Sequence, residues 1–124
     1  MIVEKKYIHT EGGKPVTVVY IEGLIRLGRS AEVAIDAIEN ILQNTADEVI
    51  VDLRNIDYVE STGIGELVVC FGRLTNKRTT PVLVNTSERI KRLLEVAKLD
   101  ESFGVFASEE EALSSFDERE ANAG

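Results

Sequence analysis

Residues 49–65 read Val49-Ile50-Val51-Asp52-Leu53-Arg54-Asn55-Ile56-Asp57-Tyr58-Val59-Glu60-Ser61-Thr62-Gly63-Ile64-Gly65. The opening Val-Ile-Val-Asp-Leu is short, β-branched and lacks the apolar/polar alternation of a half-exposed strand. That pattern predicts a strand buried on both faces, at the centre of a sheet. Polar residues follow, and then Ile64, Leu67, Val68, Phe71 and Leu74 recur at helical spacing. A second strand pattern, Pro81-Val82-Leu83-Val84-Asn85, comes next. Strand, helix and strand in succession imply a right-handed crossover between parallel strands.

Upstream, Ile2–Thr10 and Pro15–Glu22 are rich in Val, Ile, Tyr and Thr and flank Glu11-Gly12-Gly13-Lys14, so they read as a hairpin. From Ser30, a plausible N-cap, Val33, Ala34, Ala37, Ile38, Ile41 and Leu42 describe an amphipathic helix ending near Asn44. Downstream, Ser87 opens a helix carrying Ile90, Leu93, Leu94 and Ala97, and Phe103–Phe106 reads as a short last strand. Ser108-Glu109-Glu110-Glu111 is a capping-box arrangement at the head of a helix with Ala112, Leu113 and Phe116 on its apolar side. The polar stretch from Asp117 to Gly124 reads as a frayed end. The expected architecture is α/β: a mixed sheet of four to five strands with about four helices packed against it. One domain over residues 1–117 and a flexible tail over 118–124 are expected.

Composition narrows the function. The 124 residues carry a formal net charge of -8, which opposes binding to nucleic-acid phosphates or anionic lipid. No apolar run approaches the ~20 residues that span a bilayer, and Met1–Lys6 enters a strand pattern without a signal-peptide core, so a cytoplasmic location without membrane insertion is expected. The chain has one cysteine, Cys70, and one histidine, His9. Neither a zinc site nor a Ser-His or Cys-His catalytic pair has enough ligands or bases to form, and no cofactor is expected. Cys70, among Val68, Val69 and Phe71, reads as a small core hydrophobe. His9 reads as surface or edge packing, and Phe71, Phe103, Phe106 and Phe116 are too scattered to stack bases and read as core.

The chemistry concentrates in Glu60-Ser61-Thr62-Gly63-Ile64-Gly65. Hydroxyls at a helix start face backbone N–H groups that have no intrahelical partner. Gly63 and Gly65 remove bulk from the first turn and allow another backbone to approach. A phosphate on Ser61 would gain from the helix N-terminus but would sit beside Glu60. The same residues also read simply as a capped helix start, and the Gly-x-Gly fragment lacks the remainder of any phosphate-loop signature. A hydrolase using Ser61 would need a general base that the sequence does not supply.

Glu60–Gly65, with Val51-Asp52-Leu53, Ile56 and Val59 before it, resembles the signature loop of STAS domains, specifically bacterial anti-sigma factor antagonists. Their usual form is Asp-Ser-Ser/Thr-Gly-hydrophobic-Gly. Ser87–Leu99 resembles the family's penultimate helix and the stretch after it, and Ser108–Leu113 fits its last helix, so the resemblance runs from Val3 to Phe116. It implies a non-enzymatic STAS-like sandwich. The unphosphorylated protein would bind an anti-sigma factor that is itself a GHKL-type serine kinase, freeing a sigma factor. Phosphorylation of Ser61, with Thr62 as second choice, would break the complex, and a serine phosphatase would reset it. Two departures stand out: Glu60 replaces the usual Asp, and Gly23-Leu24-Ile25-Arg26 carries a cation where phosphorylated antagonists often have an acid. Arg26 or Arg29 would offer a phosphate or partner contact. The alternative within the fold is a docking or scaffold subunit, stressosome-like or partnering a lipid-transport ATPase, whose loop is not phosphorylated.

Overall fold

The computed structural model describes residues 2–25, 30–58, 72–74 and 80–123, with side chains at 3–22, 32–33, 35–55, 72–74 and 80–118. Five strands form one sheet in the order β1-β2-β3-β4-β5: β1 Ile2–His9, β2 Pro15–Ile25, β3 Glu48–Tyr58, β4 Val82–Val84 and β5 Val105–Phe106. β1 and β2 are the expected antiparallel hairpin, from Ile2↔Glu22 to His9↔Pro15. The pairs β2/β3, β3/β4 and β4/β5 are parallel. The mixed α/β sheet read from the sequence is therefore present, with β3 in the middle.

Three α-helices are described: α1 Ser30–Gln43, α2 Glu88–Val96 and α3 Glu109–Ala123. The helix expected from Ile64 onward lies outside the described residues except for a 3-10 turn at Gly72–Leu74. On one face of the sheet, Ile35, Ile38 and Leu42 of α1 and Ile90 and Leu94 of α2 join Val19, Ile21, Val49, Val51, Leu53 and Leu83 in one buried cluster. On the other face, Ala112 and Phe116 of α3 cover Val16, Val18, Ile50, Val82 and Val84. Val49 to Val51 feed both faces, and each is fully buried, which is why the run is apolar without alternation. The amides of Ile50 and Val51, flanked by paired strands on both sides, are expected to exchange with solvent among the slowest in the chain. Rapid exchange there in the folded protein would contradict this core.

Local chemistry accounts for the helix ends. Ser87, extended at φ -70° and ψ 159°, accepts a hydrogen bond from the backbone N–H of Ile90 and caps α2. Ser108 Oγ accepts from the N–H of Glu111, while the Glu111 carboxylate reaches back to the N–H of Ala107, one residue further out than the cap residue of a standard capping box. Both helices therefore start where the sequence places them.

Several details differ from the sequence reading, among them that β2 runs on to Ile25 and β3 to Tyr58, past the ends read at Glu22 and Leu53. In α1, Val33 is 49% exposed, whereas Ile35 is fully buried. The true stripe is Ile35, Ile38 and Leu42, a three-then-four spacing that turns Val33 out of the core. Ala97 is exposed as the C-cap of α2, and Leu93 is half-buried, so Leu94 supplies the inward packing. Finally, the helix continues through the segment read as frayed, to Ala123. Asp117 holds this end: Thr10 Oγ1 donates to Asp117 Oδ1 at 2.7 Å and the Gly12 N–H donates to Oδ2 at 3.1 Å. A Cβ on Gly12 would come within 2.7 Å of that carboxylate, so the close approach requires glycine.

Candidate functional site

The expected switch residues Glu60, Ser61, Thr62, Gly63, Ile64 and Gly65 lie outside the described residues, as do Arg26, Arg29, Cys70 and Leu67. What is described is how the chain enters and leaves this segment. β2 ends at Ile25 and β3 at Tyr58, and these two residues are register partners. In sequence, Arg26 directly follows the first and Glu60 comes two residues after the second. At the far side, Leu74 is fully buried in the α1/α2-side core. Its neighbour Arg73 pairs with Asp36 at 2.8 Å and with Glu39, both on α1. The hydrogen bond to Asp36, aided by the charges of Glu39 and Asp36, raises the Arg73 pKa above its ordinary value. The segment is thus tied to rigid elements at both ends, and it leaves the sheet at the carboxyl ends of parallel strands, where open α/β sheets bind their ligands.

The same end of the sheet carries a feature that motif reading missed. Tyr20 pairs with Asp52 and Glu22 with Asn55, so β3 spends one residue more than β2 over this interval: a β-bulge at Leu53–Arg54. The Asp52 carboxylate takes up the Arg54 N–H, accepting it at Oδ1 over 2.9 Å. Asp52 is only 2% exposed, and its Oδ2 accepts from Arg54 Nη2 and from Asn85 Nδ2, each at 3.1 Å. Asn85, the residue after β4, adopts a left-handed backbone, φ 56°, which asparagine tolerates better than most residues, and its amide reaches Asp52 on β3. A buried carboxylate needs such partners, because burying a charge without them is costly. The sequence signal was present: a single acid inside an apolar strand run has to be paired by something. Its partner across the sheet was not legible.

Arg54 and Asn85 divide two surface cavities. One, of about 430 Å³, lies between Arg54 and the first turn of α2, with Thr86, Ser87 and Ile90 in its wall. The other, of about 320 Å³, lies between Arg54 and the head of α3, with Ser108, Glu109 and Glu110. Among the described residues, no three His, Cys, Asp or Glu side chains gather as a metal site, and no helix is long and apolar enough to cross a membrane. His9 is exposed at the end of the edge strand β1.

A family model for the STAS domain matches residues 7–112, most of the sheet and all of the site just described. The chain belongs to the STAS domain family. Solved structures agree on the fold. This STAS domain is similar to an anti-sigma factor antagonist from Mycobacterium paratuberculosis, at 19% identity and TM-score 0.61, over 92% of this chain and 93% of that one. It is also similar to the anti-sigma factor antagonist SpoIIAA in its unphosphorylated form, at 20% identity and TM-score 0.57, over 94% and 96%. The Bacillus cell fate determinant SpoIIAA in the phosphorylated form matches at 17% identity and TM-score 0.59, over 93% and 99%. The chain therefore spans nearly the whole length of each of these structures, and at these identities the likeness concerns the fold.

Proposed function

We propose that this STAS domain is an anti-sigma factor antagonist, acting by docking rather than catalysis. Its unphosphorylated form binds an anti-sigma factor serine kinase of the GHKL type and releases a sigma factor, and phosphorylation of Ser61 ends the complex. The observation that carries the reading is the Glu60-Ser61-Thr62-Gly63-Ile64-Gly65 signature, which in sequence begins two residues after the central strand β3. The likeness to SpoIIAA structures in both phosphorylation states supports it. Arg26 or Arg29 contacts the phosphate or the partner, a serine phosphatase resets the switch, and the setting is the cytoplasm.

The physical basis is charge. A phosphoserine brings a charge of about -1.5 to -2 and three acceptor oxygens. Beside Glu60, on a chain of formal charge -8, that addition puts like-charge repulsion and desolvation into the docking face. One residue favours a second reading: Arg26 stands where phosphorylated antagonists often carry an acid. In that reading the loop docks to a scaffold or to a transport ATPase without being phosphorylated. A native pull-down, with phosphate status read by mass spectrometry, separates the two. Recovery of a serine kinase, with phosphate on Ser61 in the unbound fraction, supports the antagonist. Recovery of a scaffold or transport complex with Ser61 unmodified supports the alternative.

A further inference from the structure

The Asp52–Arg54 pair closes the bulge in β3, but that task uses only a small part of Arg54. The side chain is 63% exposed, and one guanidinium nitrogen, Nη2, contacts Asp52. Among the described residues no other partner engages the guanidinium, so most of its five donors are left without a described partner on a side chain that is largely exposed. The buried carboxylate fixes the group in place, and Asn85 in turn fixes the carboxylate. A guanidinium held this way has already lost much of the rotamer freedom that binding would otherwise cost. Its planar fork matches a carboxylate in a way lysine does not.

The two cavities beside Arg54 differ in charge. The α3-side cavity contains Glu109 and Glu110, which repel an anion. The α2-side cavity is walled by Leu53, Arg54, Asn85, Thr86, Ser87 and Ile90, with no carboxylate among the described residues that line it. Of the two cavities, the one on the side of α2 therefore offers an acidic side chain the more favourable approach to Arg54 among the described residues.

We propose that Arg54 is a specificity-determining anchor of the docking surface, taking an aspartate or glutamate side chain of the partner protein in the cavity between Arg54 and the first turn of α2. The inference rests on the antagonist reading and extends its interface from the Ser61 signature back along β3. Anchoring arginines of this kind are a common source of concentrated interface energy.

The test is a titration of the kinase recovered with the wild-type chain, then purified, against wild type, Arg54→Gln and the double variant Asp52→Asn/Arg54→Gln, at low and high salt. The double variant removes both charges of the pair together, so no buried carboxylate is left alone to unfold the domain. Both variants are expected to bind about 10–100-fold more weakly at low salt, the span of an interface hot spot. The deficit is expected to shrink at high salt, because a charge contact with the partner is screened. Unchanged affinity in the folded double variant would overturn the inference. So would a deficit that is the same at both salt concentrations, which marks lost packing. If the wild-type chain recovers no kinase at all, the antagonist reading itself falls and takes this anchor with it.

Discussion

Phe116→Ala is expected to cost the domain about 3–5 kcal/mol, the range for truncating a fully buried phenylalanine. Phe116 heads the largest fully buried side chains, at 0% exposure. It sits in the smaller of the two clusters, where α3 is the sole described helix and contributes only Ala112 and Phe116 as buried residues. Little around it can collapse into the space. Val16, Val18, Ile50, Val82 and Val84 project from paired strands that cannot shift without breaking their ladders. The clasp from Thr10 and Gly12 to Asp117 would still hold the neighbouring residue of α3, which keeps the helix over the cavity rather than letting it settle. Denaturant melts measure the effect. A loss under about 1 kcal/mol would mean that this face of the sheet is not the second core described above.

The largest effect on binding is expected at Ser61. Ser61→Asp should weaken kinase binding by about 100-fold or more, since like-charge juxtaposition in an interface costs several kcal/mol. Ser61→Ala should bind as wild type does and accept no phosphate there. Alanine removes at most a helix cap, worth ~1 kcal/mol to the fold and nothing to the charge of the docking face. The asymmetry distinguishes a switch from a contact. Were Ser61 a hydrogen-bonding contact alone, the alanine and aspartate forms would both lose affinity. Affinity titration of the three proteins, with circular dichroism to confirm folding, provides the comparison.

Much of the fold was legible because its determinants are local. The fully buried run Val49–Val51 has no alternation to misread, and Ser87 and Ser108 mark the starts of α2 and α3 with caps that the structure retains. The misreadings arose where the deciding fact lies elsewhere in the chain. Val33 and Ile35 are both apolar, and only the position of the sheet beneath α1 selects Ile35 for the core. Asp117 looked like the start of a frayed end because its partners, Thr10 and Gly12, lie on the hairpin turn at the other end of the sequence. The bulge at Leu53–Arg54 is a difference in count between two strands, so no inspection of β3 alone reveals it. The anchoring of Arg54 on Asp52 and Asn85 follows from that bulge and was hidden with it. The Ser61 signature, by contrast, is a purely sequence-borne motif. Its strength lies in residue order, and the described structure adds the rigid strand before it and the Arg73 tie after it.

The most direct measurement is phosphate mapping during the kinase reaction itself. The purified chain is mixed with the kinase it recovers and with magnesium and ATP, while the complex is followed by size-exclusion chromatography and the phosphate is located by tandem mass spectrometry. The expected result is a single phosphate on Ser61 that appears as the complex dissolves. A complex that persists with no phosphate on Ser61 or Thr62, or one that dissolves without any phosphate on the chain, would contradict the switch.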